Sequence, residues 1–386
     1  MRRLAVTLLA LALAACGVAP EAPSPVEPEP LPSPAEPPPT PEPPPEPPPP
    51  VQVSFAMVGD MMIGTDFPDN RLPDDDAVSF LAEVRPYLSG ADVAIGNLEG
   101  VLLAGGEPGK PCSNPRACWL FRSPPRYAGH FKAAGFDLMS LANNHARDFG
   151  EDGRDATMQA MNAVGIGHSG RDGTTTRIDV NGVSIGFIAF AVTKNSNMLL
   201  DYALSEMRVR ALAAMHDIVV VSFHGGAEGE AHTRLPFAEE EYYNEPRGDV
   251  VYFARLMVDA GADLVFGHGP HVVRGMERYK GRLIAYSLGN FATYYGISVA
   301  GIKGVAPLLL ATLDDSGEFI EGHIVSTRQL RPAGPSIDPS SRALRMTREL
   351  SEQDFGNPGL RFDIDGSVHV IPRPDPKPHE LATESP

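Results

Sequence analysis

Asp60, Glu99, Asn144, His224 and His268 each stand at or just beyond the end of an apolar run that reads as a β-strand. Carboxylate oxygen, amide oxygen and imidazole nitrogen together make a donor set suited to divalent zinc, manganese or iron. A carboxylate bridging two such ions would hold them ~3.5–4 Å apart, activate water and clamp a phosphoryl or acyl oxygen. On this reading Asp60 and Glu99 bring negative charge, His224, His268 and His271 bring nitrogen, and Asn144 brings its amide oxygen. His145 is a candidate proton donor to a leaving group, or an anion binder, and Asp148 is placed to orient it. Taken singly, each has a plainer account, because an aspartate after a strand commonly caps or turns the chain. The glycines in His224-Gly225-Gly226 and Gly267-His268-Gly269-Pro270-His271 favour a site, since they let the backbone approach it closely.

The elements that must carry these residues alternate between two periodicities. Strands are expected over 51–58, 91–95, 136–141, 183–190, 218–223 and 264–266, with helices over 77–88, 127–134, 151–164, 202–215 and 250–260. That alternation predicts parallel βαβ units in a sheet covered on both faces. Further strands over 272–276, 283–287, 307–313 and 319–326 suggest a second sheet packed on the first. In open α/β sheets the carboxyl ends of the strands form the ligand edge, and the candidate residues fall there. Beyond 331 the pattern is weak, and a loosely structured extension over 331–386 is expected.

Several segments resemble the CapA family of poly-γ-glutamate capsule synthesis proteins. They are Gly59-Asp60-Met61-Met62, Asn97-Leu98-Glu99, Leu141-Ala142-Asn143-Asn144-His145-Ala146-Arg147-Asp148-Phe149-Gly150 and Gly261-Ala262-Asp263-Leu264-Val265-Phe266-Gly267 leading into Pro270-His271-Val272. The most specific is Tyr279-Lys280-Gly281-Arg282-Leu283-Ile284-Ala285-Tyr286-Ser287-Leu288-Gly289-Asn290-Phe291. The resemblance runs in order from about residue 55 to 291 within a domain set at 51–330. It implies a four-layer α/β sandwich similar to calcineurin-like metallophosphoesterases, with Asp60 opening the site, Glu99 bridging, and Asn144, His224, His268 and His271 following. Three positions depart from the pattern. Met62 stands where phosphoesterases carry histidine, Gly269-Pro270-His271 replaces His-Pro-His, and His224-Gly225-Gly226 replaces histidine-tryptophan-glycine. The number of ions is therefore left open at two, one or none. Arg234 and Arg247 are candidates to grip a substrate carboxylate or phosphate, or else belong to a salt-bridged loop.

The remaining sequence bears on location and partners. Arg2 and Arg3, an apolar run over 4–15 and small residues before Cys16 make a signal peptide over 1–15, too short to span a bilayer. Leu13-Ala14-Ala15-Cys16 matches a lipobox, so Cys16 is the expected lipidation site, and Gly17 after it favours the outer membrane. Between Pro20 and Pro50, 18 of 31 residues are proline, which predicts an extended stalk over 16–50 rather than a core. The protein is thus expected in the cell envelope, lipid-anchored on the periplasmic face or at the cell surface. Cys112 and Cys118 are expected to pair in such an oxidising compartment. The formal charge is −17, which argues against nucleic acid as a partner.

The functional expectation is a part in biosynthesis or export of poly-γ-glutamate or a related anionic polymer, through a metal-dependent hydrolase-like site. The partners are the polymer or its precursor, the membrane and a membrane synthase complex. The alternatives are a non-catalytic polymer-binding scaffold or anchor, and a metal-dependent phosphodiesterase acting on another substrate.

Overall fold

In a computed structural model the described residues are 50–110 and 119–372, so the signal peptide, Cys16, nearly all of the stalk, Cys112 and Cys118 lie outside them. The first third of the domain comprises β1 (Gln52–Met62), α1 (Arg85–Leu88), β2 (Val93–Leu98), β3 (Val101–Leu102), β4 (Arg122–Ser123), α2 (Tyr127–Ala134), β5 (Leu138–Ser140), α3 (Gly150–Ala163) and β6 (Gly167–Ser169). Next come β7 (Thr176–Val180), β8 (Val183–Ala191), α4 (Tyr202–Ala213), β9 (Ile218–His224), β10 (Glu240–Tyr242), β11 (Glu245–Gly248), α5 (Val250–Asp259), β12 (Leu264–His268), β13 (Met276–Tyr279) and β14 (Arg282–Ala285). The last part holds β15 (Asn290–Thr293), β16 (Val305–Asp314), β17 (Phe319–Gln329), β18 (Pro335–Ile337), α6 (Arg342–Phe355), β19 (Leu360–Phe362) and β20 (Ser367–Val370).

Two sheets result. The first has the order β19-β20-β17-β16-β1-β2-β5-β6, with β15 added beside β1 and β18 beside β17; the second has the order β13-β14-β12-β9-β8-β7. The strands that carry the candidate residues are buried on both faces, which is why they read as unbroken apolar runs. Their alternation still sorts the layers. Val53, Phe55 and Met57 of β1 face Ile185 and Phe187 of β8, Val220 of β9 and Phe266 of β12 in a core shared by both sheets. On the outer side of the first sheet, Ala56 and Val58 pack with Leu88, Phe131 and Ala134 of α1 and α2. On the outer side of the second, Val219 and Val221 pack with Val209 and Leu212 of α4 and Phe253 and Met257 of α5. The layers are helix, sheet, sheet, helix: a four-layer α/β sandwich.

Four sequence expectations need correction. The late strands β16 and β17 do not found a second sheet; β16 runs antiparallel along β1, Gln52 opposite Asp314, and so widens the first. Over 77–88 only Arg85–Leu88 is α-helical, because Asp75 accepts from both the amide and the hydroxyl of Ser79 and Ala77 takes a positive φ of 63°. Over 272–276 a single bridge, Val273 to Leu288, precedes β13. Beyond 331 the chain is ordered through residue 372: α6 buries Leu344 in the shared core, and β19 and β20 extend the first sheet from β17.

Candidate metal centre

β1 changes neighbour where the site begins. Its first half pairs with β16, and from Asp60 onward it pairs with β15, in parallel. Gly59 lies at the switch, where a Cβ would sit 1.9 Å from the carbonyl oxygen of Gly289, so the two backbones touch there and only glycine fits. The amide of Asp60 donates to that carbonyl at 2.9 Å. This register sets Asp60 between Asn97 of β2 and Asn290 of β15. On the second sheet His224 and His268 are direct register partners on parallel β9 and β12.

The two rows meet across the shared edge of the sheets. His271 Nδ1 lies 3.1 Å from Asp60 Oδ2, and its Nε2 lies 3.6 Å from Glu99 Oε1 and 4.0 Å from Glu228 Oε2. His268 Nδ1 is 3.6 Å from Asp60 Oδ1. One donor atom each from Asp60, Glu99 and His271 falls within 4.8 Å of the others. His271 is held there in a left-handed backbone conformation, φ 57°.

Whether these residues suit a cation is tested by what they lack. Both oxygens of Glu99, Asn144 Oδ1 and both ring nitrogens of His224 and His268 are buried without a hydrogen-bond partner, while Asp60 Oδ2 has His271 Nδ1 at 3.1 Å. Leaving one buried polar atom unpaired costs roughly 1–3 kcal/mol, so a cluster of them converging on one edge calls for a ligand. Burial holds the Glu99 carboxyl well above the usual range, with Asp60 and Glu228 adding repulsion. Burial would also raise Asp60, but the hydrogen bond and charge of His271, with His268 and His224, hold it low. His224 and His268 are desolvated, His268 down to about 4, which keeps their ring nitrogens neutral and free to ligate. His271 is opposed by burial, yet Glu99, Asp60 and Glu228 push it up to about 10. Two carboxylates, the neutral imidazoles of His224 and His268 and an amide oxygen suit a divalent cation, which would take the place of the protons that Glu99 and His271 otherwise hold.

A chain of amides joins this cluster to His145. Asn97 Nδ2 donates to Asp60 Oδ1 at 2.8 Å, Asn143 Nδ2 to Asn97 Oδ1 at 3.1 Å, and the His145 amide to Asn143 Oδ1 at 3.0 Å. The His145 ring sits 4.3 Å from the Phe121 ring, and its Nδ1 is 2.7 Å from Asp148 Oδ2, which also accepts from the Phe121 amide. The side chains of Asp148 and His145 thus meet, the condition under which the aspartate could orient the ring. Lys110 Nζ completes the corner, 3.5 Å from Asp148 Oδ1 and donating to the Asn144 carbonyl at 3.1 Å.

The two arginines do other work. Arg234 pairs with Asp354 and donates to the carbonyl and side chain of Gln353, pinning its loop to α6, the salt-bridged arrangement that its sequence also allowed. Arg247 is buried and donates to Glu228 Oε1 at 2.8 Å, which holds Glu228 toward His271. Asn97 and Asn290 are functional neighbours that sequence reading left without a role; Asn290 Oδ1 accepts from His271 Nδ1 at 2.9 Å. Both lie inside the family-like motifs, and a polar amide within a buried strand was the available signal.

Comparison with known proteins follows the same residues. The sequence profile described as bacterial capsule synthesis protein PGA_cap matches residues 54–295. Capsule biosynthesis protein CapA of Bacillus anthracis is 30% identical over 264 residues, covering 62% of this chain and 59% of that protein. PGA biosynthesis protein CapA of Bacillus subtilis (strain 168) is 30% identical over 337 residues, 82% of this chain and 83% of that one. A putative 5'-nucleotidase structure from Staphylococcus aureus aligns over 78% of this chain and 58% of its own with TM-score 0.42 and 14% identity, too distant to carry an argument.

Proposed function

The chain belongs to the bacterial capsule synthesis protein family PGA_cap, and from that premise we propose that it is an envelope lipoprotein serving poly-γ-glutamate or related anionic-polymer biosynthesis through a metal-dependent hydrolase-like site. The observation that carries the reading is the convergence of Asp60, Glu99 and His271 within 4.8 Å, with His268 3.6 Å from Asp60 and the His224 ring 6.5 Å from that of His271. Asp60, Glu99, His224, His268 and His271, with the Asn144 amide oxygen, would hold the metal. A divalent cation in such a site supplies Lewis acidity, polarising an acyl or phosphoryl oxygen and acidifying water. The protein's own groups do the rest. Asp148 keeps the Nδ1 of His145 engaged, so that proton exchange with a leaving group falls to Nε2. Asn97 and Asn290 fix the ligand side chains of Asp60 and His271.

The test is polymer chain length, measured by gel filtration in capsule-forming cells that carry Asp60→Ala or His224→Ala in place of the native chain. The proposal expects altered polymer with the variant proteins folded and present in native amounts. A second reading, a non-catalytic polymer-binding scaffold, is favoured by Met62, which packs with Phe121 and Ile297 where phosphoesterases carry a histidine. Native polymer in both variants would select the scaffold.

A further inference from the structure

A cleft of about 440 Å³ opens beside the metal cluster, and Asn143 and Asn144 form part of its wall. Among the described residues three cations from separate stretches of chain line it, Lys110, Arg147 and Lys194, with Glu245 the one lining carboxylate. That ratio runs against the whole sequence, which has 49 acidic and 32 basic residues. Lys110 is tied to Asp148 and the Asn144 carbonyl, and Arg147 reaches Glu151 at 2.6 Å. Lys194 is exposed and makes no ion pair among the described residues. Val192 and Pro246 add apolar wall between these charges.

We propose that this cleft is an anion subsite, which holds a carboxylate or phosphate of the substrate next to the group presented to the metal cluster. The inference rests on the reading of that cluster as the reactive end of the site. A strongly acidic protein repels a polyanion over most of its surface, so a local excess of cations is where such a ligand would settle and from which it would be oriented. The role given by sequence to Arg234 and Arg247 passes to Arg147 and Lys194, with Lys110 linking the subsite to Asp148. The subsite would therefore register one anionic unit while the neighbouring bond lies at the cluster.

The experiment is fluorescence anisotropy of a labelled γ-linked glutamate hexamer with the full mature chain, in native form and as an Arg147→Gln/Lys194→Glu double variant. Arg177→Glu, at an exposed position on β7, is the charge control, and matched melting curves show that each protein is folded. The expected result is saturable binding to the native chain, weakened about tenfold in the double variant and unchanged in the control, with salt reducing it. Displacement of the hexamer by inorganic phosphate assigns the subsite to phosphate, and its absence assigns it to carboxylate. Equal binding by native chain and double variant, or no saturable binding of either anion, overturns the proposal. Metal content read in the same samples after incubation with zinc, manganese and iron separates the two claims: a chain that takes up no metal yet shows variant-sensitive probe binding counts against the cluster and leaves the subsite standing.

Discussion

At the scale of single residues, the site combines ligands with a separately positioned imidazole, and the two can be told apart. Replacing His145 with glutamine removes the proton-transferring ring but none of the orphaned donors. It should lower turnover by roughly 10²–10⁴-fold while bound metal is unchanged. Equal turnover in His145→Gln would remove it from the chemistry, and parallel loss of metal would make it structural. Asp60 and Glu99, which the structure brings together with His271, were legible as carboxylates at the carboxyl ends of apolar runs. The second row was not. Asn97 and Asn290 act through register, which pairs β1 with strands 37 and 230 residues away in sequence and which no local pattern encodes. For Arg234 the contacts follow the salt-bridged alternative, but its partner could not be named from sequence: Asp354 lies 120 residues on, in a helix the sequence hardly announces.

At the scale of elements, that helix deserves separate tests. The buried positions of α6 are Ala343, Leu344, Thr347, Leu350 and Ser351, a narrow stripe with two hydroxyls among Arg and Glu. Such a face is too sparse to stand out by periodicity, which is why an ordered segment read as a loose extension. Leu344 reaches the core shared by both sheets, so Leu344→Ala should cost about 2–3 kcal/mol in urea unfolding at constant m-value. A change below measurement error would mean that α6 is docked only loosely. The entry to α6 is also pH-sensitive. Burial opposes ionisation of Asp338, but Arg342 and Ser340 outweigh it and hold the carboxyl down to about 2. Because the unfolded value is higher, near 3.8, this group adds stability that is complete above pH ~4 and is lost as pH falls toward 2. The stability gap between native chain and Asp338→Asn should therefore be widest near pH 5 and close by pH 2. A gap independent of pH would show that the charge contributes nothing.

At the scale of the whole molecule, the chain enters the domain at Gln52 and reaches Asp60 eight residues later, near the other end of β1. At about 3.3 Å per residue the site stands roughly 26 Å from the point of entry. The four-layer architecture was foreseen through family resemblance, and the alternation of strands and helices was readable directly. The route was not: β16 returns to lie against β1 instead of beginning a new sheet, a choice made by long-range pairing rather than by either strand's composition. The proposed anchor makes its own prediction. The native protein should partition with membranes and into a detergent phase, whereas Cys16→Ala should appear in the soluble fraction with the same fold. Equal partitioning of the two would refute lipidation at Cys16.

The central claim is that buried donors at the meeting edge of two sheets exist to hold a divalent cation, and elemental analysis tests it most directly. The full mature chain should carry roughly one or two zinc, manganese or iron ions per molecule. An Asp60→Ala/His224→Ala double variant with native near-ultraviolet circular dichroism should carry none. A native chain that stays metal-free after incubation with all three ions, or a double variant that binds as much metal as the native chain, would contradict the account.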